Sequence, residues 1–573
     1  MAHFSAVSKV PLKVALATVV LFALLYLVTF YQIIDSTGPL LAKAFPSPHE
    51  HQRLGRWGPS IPLPLVPVAV AVLPVSGKVL VWSADKARVF SSSTGHTLTA
   101  IFDPATGTVE ARNVTQTRHN MFCPGLSLDA SGRPVVTGGS SPTSTSMYDP
   151  VAEAWAVGPA LTTGRGYHSQ ATLSDGRIFT IGGSWSGGAS MPKNGEILSI
   201  SSGSSSSSSL SSGWAPLPSA LALPMHTSDQ RGIFAADNHA WLFAWTNNSV
   251  FHAGPSRNMN WYAPDDLTTG RSGTGAHLSA GTRADSRDAM NGNAVMFSAS
   301  PDTGASILTL GGAESYSLAP ATSAAHLISL PPGGATFSQP TVSRLENMHH
   351  PRVYSNSVVL PTGDVFIVGG ATYAKQWSDV NATLTPELFS ARTHTFSPLA
   401  RMARARTYHS AAVLLPDGTV LVGGGGLCWE LCDGDERKIN HLDLQVYEPG
   451  YLFSGDGARV KHRLRILGIS NTRLAPGEHM VVVTDGQARE FALVRYGSAT
   501  HSINTDQRRI KLDATPVLPL DGEAAQEGVK KRHGYAMQVP HDAGIAVPGY
   551  WMLFAISSAG VPSVAETILI KLA

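Results

Sequence analysis

A thiol and three phenols stand at one fixed offset before four pairs of glycines. The segments RHNMFCPGLSLDASGRPVVTGG, RGYHSQATLSDGRIFTIGG, RVYSNSVVLPTGDVFIVGG and RTYHSAAVLLPDGTVLVGG place Cys123, Tyr167, Tyr354 and Tyr408 fifteen residues before the first glycine of each pair. A constant offset in a repeat marks one place in each copy of one structural unit. Cys123 and Tyr167 belong to neighbouring copies, which lets their side chains touch, and His409 follows Tyr408 directly. Phenol, imidazole and thiol on one rim suit a tetragonal Cu(II) site with nitrogen and oxygen donors. Each residue taken singly reads as an ordinary rim or core residue, a buried cysteine commonly being an inert hydrophobe. Tyr354, followed by Ser-Asn where the other two tyrosines have His-Ser, is read that way. The conjunction of register, odd cysteine and Tyr-His steps points to a redox metal centre.

The elements that must hold these residues are strands. Besides the four clear copies, SILTLGG ends at Gly311 and Gly312, and degenerate copies run through KVLVWS and HAWLFAW. Strand ends near 82, 138, 182, 244, 311, 369 and 423 mark seven units, spaced near or above the kelch period of roughly 50 residues. Each unit has an alternating apolar strand, a D-G or T-G turn and a second strand closing in Gly-Gly, the pattern of a four-stranded propeller blade. The expected fold is all-β, with a seven-bladed kelch-type β-propeller over 56–450. Short strands such as HMVVVTD and GYWMLFAIS then predict an immunoglobulin-like β-sandwich over 451–573. The serine run from Ser201 to Ser212 reads as a surface loop.

Composition narrows the class. The 573 residues exceed a single core, and a net charge of +2 with no basic run gives no reason to expect nucleic acid. Val14 to Phe30 is an uninterrupted apolar run with Lys9 and Lys13 before it, close to the roughly 20 residues that cross a bilayer. This predicts a cytosolic stub and signal-anchor over 1–35, a linker over 36–55, and a catalytic part outside the cytosol. Secretion after signal cleavage is the alternative. The sequons at Asn113, Asn247 and Asn381 are compatible with either route. Of three cysteines, Cys428 and Cys432 suit a small loop disulfide in an oxidising compartment, leaving Cys123 over.

The phrases RHNMFCPG, RGYHSQATLSDGRIFTIGGSWSGG, RTYHSAAVLLPDG, GSATHSINTDQRRI and PGYWMLFAISSAGVPS resemble galactose oxidase and its copper-radical alcohol oxidase relatives, from about Gly55 to the C-terminus. The resemblance implies one copper ion and a protein-derived cofactor. Cys123 would form a thioether to the ring of Tyr167, which would be an equatorial ligand and carry the radical. Trp185 would stack over that thioether. Tyr408 would be the axial tyrosine and base, and His409 and His501 the imidazole ligands, His501 arriving from the C-terminal domain. Phe90, Arg283, Ser317 and Trp377 fall near positions that line the family's sugar pocket; Ser317 stands where the family has glutamine and Trp377 where it has phenylalanine.

The resemblance thus implies oxidation of primary alcohols, galactose-type sugars among them, to aldehydes, with O2 reduced to H2O2. An alcohol gives up two electrons and a Cu(II)/Cu(I) couple takes one, so a tyrosyl radical supplies the second acceptor. No GxGxxG at a strand-to-helix turn calls for a nicotinamide or flavin. Two other readings stay open: an aldehyde oxidase resembling glyoxal oxidase, and a kelch-type scaffold without redox activity, for which the retained ligand set has no use.

Overall fold

The computed structural model describes residues 48–91, 95–188, 192–199, 213–265, 272–284, 287–332, 337–429, 439–517 and 532–572. Their regular structure is nearly all strand, and the α-helices are single turns such as His51–Leu54 and Ile233–Ala236. Alternating apolar residues between Gly-, Asp- and Pro-bearing turns dictate this, because only a pleated chain has a side-chain period of two.

The strands of the described residues form nine sheets. A typical one is a meander in chain order: Gly125–Leu128, Pro134–Thr137, Thr145–Asp149 and Ala154–Val157. The same order recurs from Ser169–Thr172 to Trp214–Leu217 and from Val353–Val359 to Phe396–Pro398. First strands of neighbouring sheets lie against one another from Gly125–Leu128 through Ser169–Thr172 to Leu242–Ala244, and from Asn293–Ser300 through Val353–Val359 and Ser410–Leu414 to Ala69–Val72. Two sheets borrow a strand from far along the chain. Arg56–Pro62 pairs with Asp443–Glu448, and Ser498–Thr500 pairs with Ala69–Val72, putting Ala69 opposite Thr500. The last two sheets pack face to face, with Met480, Val482 and Met537 of one meeting Phe491, Leu493 and Trp551 of the other in a single apolar cluster.

The Gly-Gly pairs hold left-handed backbone at Gly138, Gly139, Gly182, Gly183, Gly369 and Gly370. A Cβ on Gly139 would lie 2.2 Å from the Phe122 carbonyl oxygen, so no other residue fits there. In the fourth copy the left-handed residues are Gly424 and Gly425, one step later than the offset count assumes. Strand pairing agrees: Ser410 faces Gly424 as Ser355 faces Gly369. The GGGG run conceals this shift. The residue equivalent to Cys123, Tyr167 and Tyr354 is therefore His409, and Tyr408 stands one place earlier. All four equivalents have positive φ, at 59°, 64°, 60° and 69°.

A buried ion pair repeats in three of these sheets. Arg165, Arg352 and Arg406 each precede a tyrosine by two residues and reach an acid on the third strand of their own sheet. The distances are 2.9 Å to Glu196, 2.8 Å to Glu387 and 2.9 Å to Asp443. Each guanidinium also donates to the carbonyl of the first left-handed glycine, Gly182, Gly369 or Gly424. The Arg-x-Tyr step is thus a clamp that ties the entry of a first strand to the glycine turn beside it.

The expected membrane placement is not upheld. Among the described residues no helix is long and apolar enough to cross a membrane: a four-residue helix rises about 6 Å where about 30 Å is needed. The expected anchor within 1–35 lies outside the described residues. Cys428 is held in a disulfide and Cys123 is a free, buried thiol; Cys432 lies outside the described residues.

Replacing Arg352 by Met leaves Glu387 buried and unpaired, which should cost about 3–5 kcal/mol. The urea midpoint of Arg352→Met should fall accordingly, and that of the Arg352→Met/Glu387→Met double variant should recover part of the loss. An unchanged midpoint in the single variant would contradict the clamp.

Candidate metal centre

Left-handed residues at the strand entries are linked from sheet to sheet by main-chain hydrogen bonds. Tyr167 N–H donates to Cys123 O at 2.9 Å, His239 N–H to Tyr167 O at 2.8 Å, and Tyr354 N–H to Asn291 O at 2.8 Å. Positive φ in a non-glycine residue costs on the order of 1–3 kcal/mol and persists where surrounding bonds over-determine it. Here it turns successive side chains toward one another. The Cys123 thiol lies beside the Tyr167 phenol, close enough for each to shift the titration of the other. The Tyr408 hydroxyl donates to the Tyr167 oxygen at 2.8 Å, and Tyr316 Oη lies 2.6 Å from Tyr408 Oη.

The near-identical phrases RGYHS and RTYHS diverge here. With the left-handed turn on Tyr167, His168 points back between sheets and its Nε2 lies 2.8 Å from Thr137 Oγ1. With the turn on His409, both Tyr408 and His409 face the centre. His409 Nδ1 donates to Gly426 O at 2.6 Å, and its Nε2 is buried without a partner.

His501 follows the strand that completes the Ala69–Val72 sheet. The Thr500 hydroxyl donates to Val68 O, so it accepts from His501 Nδ1 at 2.7 Å, and His501 Nε2 is again buried without a partner. The turn that follows is bolted to several sheets. Asp506 pairs with Arg495 at 2.9 Å and accepts the Leu128 N–H, Gln507 donates to Ser357 O at 2.8 Å, and Thr505 donates to Gln170 O at 2.7 Å. Ligand atoms of Cys123, His409 and His501 lie within 4.8 Å of one another, all three residues being buried.

Burial sets the charges. It lowers His409 to about 3 and His501 well below its ordinary value, so both imidazoles are neutral, the form that binds a metal. Burial also raises Tyr167, Tyr408, Tyr316 and Cys123 well above their ordinary values. A cluster of neutral acids around two orphaned Nε2 atoms is short of positive charge, and a divalent ion reverses the preference of the phenols. Two imidazole nitrogens and two phenol oxygens match a tetragonal cupric site. The donor set fits copper.

A cavity of about 330 Å³ opens on this cluster, and Phe90, Trp185 and Trp377 are among the residues that line it. Trp185 does not stack on Tyr167: the rings are tilted by 53° at 5.3 Å between centroids, and the indole is 41% exposed. Arg283 is elsewhere. Its guanidinium donates to Pro255 O and Ser256 O, lies over Trp241, and lines a second cavity with Arg287 and Gly312. Arg231 occupies the cavity wall instead, and Ser317 stands behind it, accepting from Arg231 at 2.7 Å. Tyr354 packs beside Tyr408 and donates to Tyr316 O, a supporting place. Tyr316, His239, Arg231 and Gln376 were not anticipated. His239 has a sequence signal, opening the degenerate HAWLFAW copy at the left-handed position with φ 54°.

Comparison with known proteins agrees with this geometry. Residues 463–570 match the galactose oxidase-like early set domain, and residues 285–451 the glyoxal oxidase N-terminus. The galactose oxidase of Gibberella zeae (strain ATCC MYA-4620) is 44% identical over 520 residues, covering 90% of this chain and 70% of the relative. The aldehyde oxidase GLOX of Vitis pseudoreticulata is 31% identical over 244 residues, covering 41% of this chain and 44% of the relative. A solved structure described as a novel fungal alcohol oxidase with catalytic diversity among the AA5 family, in complex with copper, is 38% identical. It superposes with a TM-score of 0.80 over 91% of this chain and 100% of that one. Identity of this extent, spread over nine-tenths of the chain, makes it a member of the galactose oxidase family of copper-radical alcohol oxidases.

Proposed function

We propose that the chain oxidises primary alcohols to aldehydes and reduces O2 to H2O2, on a seven-bladed propeller of about 56–450 joined to an immunoglobulin-like sandwich of about 451–573. The observation that carries this reading is the convergence of Cys123, His409 and His501 within 4.8 Å, beside two hydrogen-bonded phenols. Tyr167, Tyr408, His409 and His501 would hold copper. When bound, the metal supplies a one-electron couple and lowers the pKa of a substrate hydroxyl.

The chain's own residues do the rest. Tyr167, joined through its ring to the Cys123 sulfur, holds the second oxidising equivalent and takes the hydrogen from the carbinol carbon. Trp185, tilted against Tyr167 at the cavity mouth, covers that ring from solvent. Tyr408 accepts the hydroxyl proton. Its phenol is steered by Tyr316, whose hydroxyl lies 2.6 Å away, while Tyr354 and Trp377 pack on its ring. The imidazole Nδ1 atoms are occupied by Gly426 O and Thr500 Oγ1, which keeps each Nε2 aimed inward.

Copper-loaded protein should consume O2 and release peroxide on a panel of primary alcohols, faster than on the corresponding aldehydes. Faster turnover of aldehydes would favour the glyoxal-oxidase-like alternative, and no peroxide with any of them would sink the oxidase reading. Intact-mass analysis should show copper-treated protein two hydrogens lighter than the sum of its residues, beyond the disulfide. Cys123→Ser should lose that deficit and the radical absorption while still binding copper; loss of the metal too would contradict the role given to Cys123.

The buried histidines predict an acid-side stability loss in the metal-free protein. His409 and His239 are lowered to about 3, His119 to about 4, and burial is the main cause in each. Between those values and the unfolded value of about 6.5, the unfolded chain binds protons that the folded one does not. Stability should therefore be full above about pH 6.5 and fall progressively toward pH 3–4. A metal-free denaturation midpoint that is flat across this window would contradict it.

A further inference from the structure

The cavity over the candidate copper centre is walled by rings. Phe90 stacks on Phe122 at 4.5 Å between centroids and 28°, and Trp377 meets Trp429 edge-on at 4.6 Å. Phe90 and Trp429 close the wall at 6.1 Å, and Trp185 and Tyr316, 6.0 Å apart, add two more rings to the lining. At about 330 Å³ the space lies near the small end of ligand cavities. Such a wall offers flat apolar faces and few hydrogen-bonding groups.

The polar groups around Arg231 are committed to one another, while Ser140 and Ser186 also line the cavity and Trp377 Nε1 is buried without a partner. The Gln376 amide donates to Tyr316 O at 2.8 Å, and its oxygen accepts from Ser317 at 2.9 Å. Ser317 Oγ in turn accepts from Arg231 at 2.7 Å. Asp229 fixes the turn by accepting the backbone N–H groups of Arg231 and Tyr316, so its carboxylate serves main chain. Among the described residues no carboxylate forms an ion pair with the Arg231 guanidinium. One solvent-exposed guanidinium, held by Ser317, therefore stands at the edge of an aromatic wall.

A hexose carries hydroxyls around its whole ring edge, and any of them turned onto these rings would lack partners, which is unfavourable. A flat ring stacks on such faces at no polar cost. A carboxylate on that ring would find in Arg231 a planar fork of donors matched to it. Resting on the oxidase reading above, we propose that the cavity selects primary alcohols carried on an aromatic ring with a carboxylate on the far side, and that Arg231 is the specificity residue reading the anion. Ser317 and Gln376 are positioning residues that hold the guanidinium in the wall.

The probes are 4-(hydroxymethyl)benzoate, benzyl alcohol and galactose, with the copper-loaded full chain. The native protein should rank kcat/KM in that order. Arg231→Gln should lower the ratio of kcat/KM for the benzoate over that for benzyl alcohol by about tenfold or more, as loss of a charge-assisted hydrogen bond implies. The change should reside in KM rather than kcat, and Arg231→Lys should restore part of it. An unchanged ratio, or galactose ranking first, would overturn the proposal. Quenching of tryptophan fluorescence by 4-(hydroxymethyl)benzoate gives a readout independent of turnover. If no alcohol yields peroxide, the oxidase reading fails, yet weaker quenching in Arg231→Gln would still support the anion site and equal quenching would refute it.

Discussion

The Tyr167 amide hydrogen bond to the Cys123 carbonyl governs the rest of the site. It joins the entries of two adjacent sheets while both residues sit in left-handed backbone, at φ 59° and 64°. That combination turns a thiol from one sheet onto a phenol from the next, both buried at the base of the cavity. The bond from His239 to Tyr167 extends the arrangement to a third sheet. Strain of this kind is tolerable because glycine turns and buried arginine clamps hold the neighbouring backbone.

Low polarity is the second constraint, and it acts on every titratable group alike. The same burial that keeps His409 and His501 neutral keeps Tyr167, Tyr408 and Cys123 protonated. Neutral imidazoles are ready ligands, whereas neutral phenols wait for a cation to release their protons. A site with this electrostatic character accepts a small multivalent ion and resists a lone proton. The aromatic wall above it continues the same logic outward, and Arg231 is the exception that gives the cavity a polar end.

Register decided which of two look-alike motifs turns an imidazole to the centre. RGYHS and RTYHS share four of five letters, yet His168 turns to Thr137 and His409 turns to the centre. The difference is one residue of backbone phase, set by whether the left-handed turn falls on the tyrosine or on the histidine. Four consecutive glycines at 423–426 leave the phase open in the sequence, because any of them can take the left-handed turn. The strand pairing of Ser410 with Gly424 resolves it.

Periodicity and turn residues sufficed to read an all-β chain of repeated meanders, because alternation and glycine placement are local properties. They also singled out Cys123, Tyr167 and Tyr408, since these recur at or beside one place in each copy. His501 was assigned through resemblance alone; its approach depends on Ser498–Thr500 pairing with Ala69–Val72, more than four hundred residues away. Arg283 and Arg231 show the same limit. Both are arginines near the right sheets, but one spends its donors on carbonyls beneath Trp241 and the other faces the cavity. Side-chain direction follows from main-chain torsion and long-range packing, and neither is written in residue type or spacing.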